Sequence, residues 1–262
     1  MFRWPSCTTS CEATVAAPAA PGEGFALPPF LAALQLADSA FPSGRYTLSH
    51  GLESFVQSGE VTARSGVRGL WSLLTDQLEH GIATADGVAS AWAHRAVSES
   101  PDPDRYDEQL ALTADLRLSS VKLSREAREA SARTGRGVLG TTVGSFAGPA
   151  LTAYARLVDR GAAPGNGAVV TGILAAELAV PLPHSVATEL YAFTAGWLNA
   201  AVRLGVADHR VAQAVLHRCG PVIDRTVRRA CETGLDGLSS STPLADVMSM
   251  RHEQATLRLF MS

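Results

Sequence analysis

The stretch VATELYAFTAGWLNAA, residues 186–201, carries the clearest structural signal in this chain. Its apolar residues recur every three or four positions, which is the spacing of one face of an α-helix and not the alternation of a strand. The stripe consists of Val186, Leu190, Phe193, Trp197 and Ala201, and it is flanked by Thr194 and Leu198. This pattern is typical of a buried core helix.

The same periodicity continues outward from this stretch, beginning at Leu27, and no segment has the pattern of a strand. Residues 64–97 predict one long helix or two consecutive helices. Gly- and Pro-containing breaks separate the periodic segments, as helical hairpins require. These breaks fall at residues 101–103, 148–149, 161–165, 181–183 and 220–221. We therefore expect an all-α, single-domain helical bundle of about nine or ten helices.

Three parts are expected along the chain. Residues 1–26 are small, Pro-rich and without period, and they predict a disordered N-terminal extension. Residues 27–233 form the all-α body. Residues 234–262 comprise a Gly/Ser-rich linker and a final helix that starts at Thr242-Pro243. That helix could fold onto the body, or it could become ordered only when another subunit binds.

The composition excludes several classes of function. The net charge of −3 leaves no large basic surface for neutralising phosphates, so nucleic acid is not an expected partner. Lys122 is the only lysine, and it does not follow a glycine, which excludes a Walker phosphate-binding loop. The longest apolar run, residues 167–182, is interrupted by Glu177 and is too short to span a membrane.

The cysteines and the N-terminus indicate a cytoplasmic protein. Cys7, Cys11, Cys219 and Cys231 form no C-x-x-C pair, so neither a disulfide framework nor a structural zinc site is expected. The first residues lack the continuous apolar core of a signal peptide.

Three sequence patterns resemble enzyme motifs but lack the required context. Residues 135–140 spell G-x-G-x-x-G, yet a helical pattern precedes them where a dinucleotide site needs a strand. We interpret these glycines as a helix break that allows helices to approach closely. His252-Glu253 begins like H-E-x-x-H, but residue 256 is Thr. No two histidines lie three or four positions apart, and no cofactor or metal is expected.

Two segments remain that mix apolar anchors with polar groups. The first is FPSGRYTLSHGLE, residues 41–53, which predicts a type I turn, then a helix capped by Thr47 with His50 and Glu53 on a polar face. Gly51 in that helix indicates a close backbone neighbour. The second is SMRHE, residues 249–253, where Arg251 falls on an apolar stripe and is expected to find a carboxylate or several carbonyls.

Taken together, these segments resemble the urease accessory protein UreF family. Residues 34–53 and 243–260 are similar to the signatures at the two ends of that family, and residues 125–136 are similar to its central helix. The resemblance spans about residues 30 to 262 in the right order. One departure is Asn166-Gly167-Ala168, where many relatives have His-Tyr-Pro, so that no nickel-handling histidine is carried over to this position.

The resemblance implies a non-enzymatic, dimeric protein that assembles with the UreD/UreH scaffold and the GTPase UreG to deliver nickel to apo-urease. It also implies that Tyr46 and Arg251 lie where an ordered C-terminal segment supports the docking of UreG. Weaker partner-binding candidates are their neighbours His50, Glu53, His252 and Glu253.

Three other interpretations stay open. Arg251 or Arg45 could be an arginine finger that activates the GTPase. A metal-dependent enzyme could use His80 or His94 with Asp76, Glu79 or Asp86, although the Glu-x-x-His spacing is absent. A helical scaffold unrelated to urease is the third.

Overall fold

The computed structural model describes residues 26–101, 106–255 and 258–261, and within these ranges it contains helices and no strand. Leu78–Gly87 is a π-helical segment that joins the α-helical segments Gly66–Gln77 and Val88–Ser98 without interruption, so the described part of the chain has ten helices. The α-helical segments are α1 Leu27–Ala37, α2 Leu52–Gln57, α3 Gly66–Gln77, α4 Val88–Ser98, α5 Glu108–Val121, α6 Arg125–Thr142, α7 Pro149–Asp159, α8 Gly167–Glu177, α9 Leu182–Arg203, α10 His209–Glu232 and α11 Pro243–His252. The predicted all-α fold is confirmed.

Most helices begin with residues that suit a helix N-terminus, where the first backbone N–H groups have no acceptor within the helix. The side chains of Asp107, Ser124 and Asp208 accept hydrogen bonds from backbone N–H groups in the first turns of α5, α6 and α10. A proline stands in the first turn of α1, α7, α9 and α11, where its missing N–H costs nothing.

The centre of the molecule is α8, and every residue from Gly167 to Ala175 is buried. Its sequence, GAVVTGILAAE, is apolar around most of the circumference, as expected for a helix that is enclosed on all sides. A Cβ at Gly172 would lie 2.5 Å from the carbonyl oxygen of Ser90, so this glycine lets α8 pack directly against the backbone of α4. The apolar run that starts at residue 167 is therefore core.

The stripe that predicted α9 faces this core. Val186, Leu190, Phe193, Trp197 and Ala201 are all buried, and α9 packs against α10, α4 and α8. No helix in the described ranges is both long and apolar enough to cross a membrane. The predicted N-terminal extension lies outside the described residues, apart from Ala26.

Two predicted helix breaks are wrong. Residues 135–140 lie inside the continuous helix α6. The glycines do allow a close approach, but of loop residues and not of a second helix, because a Cβ at Gly135 would lie 1.9 Å from the carbonyl oxygen of Gly165, and one at Gly137 would lie 2.7 Å from that of Ser43. The glycines serve packing and not a change of direction.

Pro221 was predicted to lie between helices, but it lies inside α10. Proline inside a helix removes one backbone hydrogen bond and costs about 3 kcal/mol. α10 packs along α9, α3 and the π-helical segment, and its buried residues fall on both sides of the proline. Tertiary packing therefore outweighs the local preference.

Candidate functional site

The C-terminal tail, which we define as residues 234–255 and 258–261, lies against the body. Its Gly/Ser-rich linker lies alongside the π-helical segment. There the N–H groups of Ser239 and Ser241 donate to the carbonyls of Thr84 and His80 at 3.1 and 2.8 Å. A π-helical segment departs from the usual i to i+4 ladder, and here two of its carbonyls accept hydrogen bonds from the linker.

Gly51 lies beside the backbone of α11. A Cβ there would lie 3.6 Å from the carbonyl oxygen of Ala245 and 3.8 Å from the backbone nitrogen of Ser249, so the predicted close backbone neighbour is confirmed. Gly51 does not lie inside a helix, however. It precedes α2 with φ of +81°, a conformation that favours glycine. The hydroxyl groups of Ser249 and Ser124 are 2.7 Å apart and join α11 to the start of α6.

His252, the last residue of α11, is fully buried between two glutamates. Its Nδ1 lies 2.7 Å from Oε2 of Glu126 on α6, and its Nε2 lies 2.9 Å from Oε2 of Glu53 on α2. The side chain of His252 is 0% exposed, and those of Glu53 and Glu126 are 2% and 5% exposed. The ring thus connects the tail to two helices that are far apart in sequence.

The same carboxylates hold the chain beyond α11. The backbone N–H groups of Leu259 and Phe260 donate to Glu53 at 2.8 and 3.1 Å. Arg258 donates to Oε1 of Glu126 at 2.7 Å. Unpaired carboxylates are costly to bury, and the donors from the tail compensate both.

Arg203, at the end of α9, contacts two aromatic rings. Its guanidinium carbon lies 3.9 Å from the ring centre of Tyr46 and 4.3 Å from that of Phe260, distances typical of cation–π contacts. The N–H of Met261 donates to the carbonyl of Thr47 at 3.0 Å. The structure therefore connects Tyr46 to the tail through an arginine that no sequence pattern indicated.

The segment before α2 differs from its prediction. The N–H of Ser43 donates to the carbonyl of Phe41 at 2.7 Å, which is a tighter turn than type I. Thr47 lies in a 3-10 turn, Arg45–Thr47, and its hydroxyl donates to Gly44, so it does not cap α2. The chain stays irregular up to Leu52 because both His50 and Gly51 have positive φ.

His50 and Glu53 do not share a solvated face. Glu53 is buried beneath the tail, and the His50 ring lies 4.7 Å from the ring of Phe193. Burial of the His50 ring, followed by the charges of Lys122 and Arg45, lowers its pKa to about 4. The ring is therefore neutral at pH 7 and is not a cation available to a partner.

His50 borders a cavity of about 150 Å³ that is lined by both apolar and charged residues and has α11 residues in its wall. Two ion pairs line it: Lys122 with Asp86 at 2.8 Å, and Arg45 with Glu189 at 2.5 Å. These charges are already matched. Within the described ranges, no group of three or more His, Cys, Asp or Glu side chains is arranged to hold a metal ion.

Two of the residues proposed for a metal-dependent enzyme have other partners. The His94 ring is engaged with the carbonyl of Val180 at 2.8 Å and with Ser98 at 3.2 Å, while Asp86 pairs with Lys122. The G-x-G-x-x-G sequence lies within a helix and follows no strand.

Arg251 is not buried, contrary to its prediction. Its side chain is exposed, and the guanidinium makes no hydrogen bond or ion pair with any described residue. The predicted stripe is reversed, because Leu244 and Val247 share this outer face and only Met248 of the stripe is buried. Adjacent residues on a helix point about 100° apart, so docking through His252 turns Arg251 outward.

Glu253 lies at the edge of the same contact. Its carboxylate accepts from the N–H of Glu126 at 3.2 Å and lies 3.9 Å from Nε of Arg125. Of the six predicted residues, the tail contact joins Glu53, His252 and Glu253 directly, and it reaches Tyr46 through Arg203. Glu126 and Arg203 were not predicted as site residues.

Comparison with known proteins places this arrangement in context. A family model described as UreF matches residues 65–220. The chain is 34% identical over 226 residues to the urease accessory protein UreF of Rhodopseudomonas palustris (strain BisA53), covering 85% of this chain and 89% of that protein. It is 30% identical over 232 residues to the protein of the same description from Arthrobacter sp. (strain FB24), covering 88% and 96%. For that of Bacillus sp. (strain TB-90), the identity is 28% over 235 residues, covering 88% and 98%.

Proposed function

The chain belongs to the UreF family of urease accessory proteins, and from this membership we propose that it is a non-enzymatic docking subunit for nickel insertion into urease. In this proposal it bridges the UreD/UreH scaffold and the GTPase UreG in the cytoplasm and brings them to apo-urease. GTP hydrolysis belongs to UreG, because this chain has no phosphate-binding loop.

The observation that carries the proposal is the apolar outer face of the docked tail. Soluble proteins rarely leave contiguous large apolar side chains in water unless another surface covers them. On α11, Leu244 is 56% exposed, and Val247 and Met250 are 44% and 40% exposed. Beyond α11, Leu259 and Met261 are exposed as well. We assign this face, together with Arg251 and Tyr46, to the docking of UreG.

The proposed homodimer has a second apolar surface to use. A groove of about 1020 Å³ lies between α1, α9 and α10, and the exposed residues Phe30, Leu34 and Tyr191 line it. In a two-fold dimer the same patch of each copy faces the other, so a self-complementary apolar surface of this kind suffices. We expect Leu34→Asp to lower the mass measured by light scattering from dimer to monomer.

A second candidate function is activation of UreG by an arginine finger. Arg251 is exposed and unpaired within the described ranges, as a finger must be before it reaches a phosphate. Arg45 is the weaker choice, because its guanidinium is already bound to Glu189. Arg251→Lys should retain docking and lose any stimulation of GTP hydrolysis.

Co-purification tests the main proposal. Val247→Asp places a charge on the outer face of the tail, while Leu116→Asp places the same charge on α5, where the leucine is also exposed. We expect Val247→Asp to lose UreG and urease activation, and Leu116→Asp to keep both. Retention of UreG and full activation by Val247→Asp would remove the basis for assigning UreG to this face.

A further inference from the structure

We propose that His252, in its doubly protonated form, is the positioning residue that fixes the tail across α2 and α6. This inference rests on the proposed function, because the feature that it positions is the outer face of α11 assigned to UreG. His252 itself is buried and does not reach that face.

Two ionised carboxylates, one at each ring nitrogen, would require both ring protons. A neutral imidazole has one N–H donor and one bare nitrogen, whereas an ionised carboxylate only accepts. Here a carboxylate oxygen lies 2.7 Å from Nδ1 and another lies 2.9 Å from Nε2. With Glu53 and Glu126 both ionised, each ring nitrogen must donate, and the contact is complete only with the imidazolium.

The surrounding charges balance in that state. The charged groups that face the ring are Glu53 from α2 and Glu126 from α6, and Arg258 pairs with Glu126 from the tail. At the rim, Glu253 lies close to Arg125. Two carboxylates therefore meet the imidazolium and one guanidinium, and a neutral ring would leave an excess negative charge in a buried site, which is unfavourable.

The geometry also explains why the His252 ring affects the position of the tail residues around it. Glu53 receives the N–H groups of Leu259 and Phe260 in addition to His252. Glu126 receives Arg258 in addition to His252, and its own N–H donates to Glu253. Removal of the ring leaves each carboxylate with fewer donors, so the end of α11 and the segment after it loosen together.

The protonation state can be measured directly on the unaltered protein. With ¹⁵N-labelled histidine, long-range ¹H–¹⁵N spectra at neutral pH distinguish a ring with two protonated nitrogens from one with a single proton. The chain has seven histidines, and the signal of His252 is the one that His252→Gln removes. Two protonated nitrogens support the proposal, and one protonated nitrogen overturns it.

Hydrogen exchange tests the positioning. In His252→Gln we expect the amides of Leu259 and Phe260 to exchange about tenfold faster or more, since a buried carboxylate loses a charged donor. The same substitution at His217, which is exposed on α10, should leave them unchanged. Unchanged exchange in His252→Gln would overturn the proposal.

Co-purification with UreG separates this inference from the function on which it rests. Faster exchange of the tail with loss of UreG supports both. Faster exchange with UreG binding retained leaves His252 as the positioning residue but contradicts the assignment of UreG to the tail.

Discussion

The guanidinium carbon of Arg203 lies 4.3 Å from the centre of the Phe260 ring. α9 therefore reaches the end of the chain, and the buried Phe260 ring fixes the segment after α11. Arg203 also contacts Tyr46, which is 60% exposed. One arginine thus couples an exposed residue of the N-terminal segment to the position of the tail.

Arg203→Gln should loosen the tail without unfolding the body. The cation–π contacts with Tyr46 and Phe260 are together worth about 1 kcal/mol or somewhat more, so the C-terminal peptide should exchange amide hydrogens several-fold faster. Arg203→Lys should be intermediate, because lysine keeps the charge but not the planar stacking surface. Arg210→Gln, at an exposed arginine of α10, is the matched control. Equal exchange in all three variants would show that Arg203 does not hold the tail.

Gly135→Ala should destabilise the protein by about 2 kcal/mol or more, because the added methyl group meets the carbonyl oxygen of Gly165 and the backbone must move. Gly140 lies in the same helix with nothing near its missing Cβ. Gly140→Ala should therefore stabilise the protein, by up to about 1 kcal/mol. Urea unfolding of the two variants measures the contrast. If both substitutions changed the stability in the same direction, for example by stabilising the protein, the result would argue against close packing at Gly135.

Asn166→Ala should lower the free energy of unfolding by about 1–3 kcal/mol, since buried hydrogen-bonding groups lose their partner. The Asn166 amide donates to the Asp115 carboxylate at 2.6 Å and to the Ser119 hydroxyl at 2.7 Å, and Asp115 is fully buried. Asn199→Ala, at an exposed asparagine, should stay within about 0.5 kcal/mol of the parent. Thermal or urea unfolding measures both effects. A negligible effect of Asn166→Ala would show that its hydrogen bonds to Asp115 and Ser119 do not stabilise the fold.

The stability of the protein should fall on acidification because of His50. Burial lowers its pKa in the folded state from 6.5 to about 4, so between these values the unfolded chain binds a proton that the folded chain does not. Stability from this group is complete above about pH 6.5 and is lost as the pH falls toward 4. His50→Asn removes the titrating group and suits the positive φ of this residue.

Urea unfolding at about pH 7.5 and at about pH 5 measures this dependence. These values lie on either side of the ordinary histidine pKa, about one to two units from it. The difference between parent and His50→Asn at pH 7.5 gives the packing cost alone. We expect that difference to shrink at pH 5. An unchanged difference would mean that His50 does not contribute to the acid sensitivity.

The departure at residues 166–168 also has a structural account. Asn166 joins α5 to the start of α8 through Asp115, and a Cβ at Gly167 would lie 2.7 Å from Cγ2 of Thr134. A bulky side chain does not fit at Gly167 unless Thr134 moves. This chain therefore uses the position for packing, and its sequence alone did not indicate that use.

The partner contacts of Tyr46, His50, Glu53, Arg251, His252 and Glu253 remain predictions, because they concern surfaces of other proteins. What the structure changes is the part that each side chain is able to play. Tyr46 and Arg251 are exposed, whereas Glu53 and His252 are buried and can act only through the position of the tail.

Local pattern was sufficient for the all-α fold, for helices such as α9 and for the family. The stripe from Val186 to Ala201 requires a helix with one buried face, since a 3.6-residue period places those side chains together whatever they pack against. The order of the two terminal motifs identified the family in the same way, without knowledge of any contact.

Only the tertiary structure decided which residues of the tail face inward. Arg251 and His252 are neighbours in sequence, and the apolar spacing of α11 favoured Arg251 as the buried one. The opposite holds because Glu53 and Glu126, from two separate helices, converge on the imidazole, while an apolar stripe remains outside. In α11, the face that carries His252 turns inward because its imidazole pairs with buried carboxylates. Those carboxylates belong to residues more than a hundred positions away, so the sequence of α11 alone does not determine its orientation.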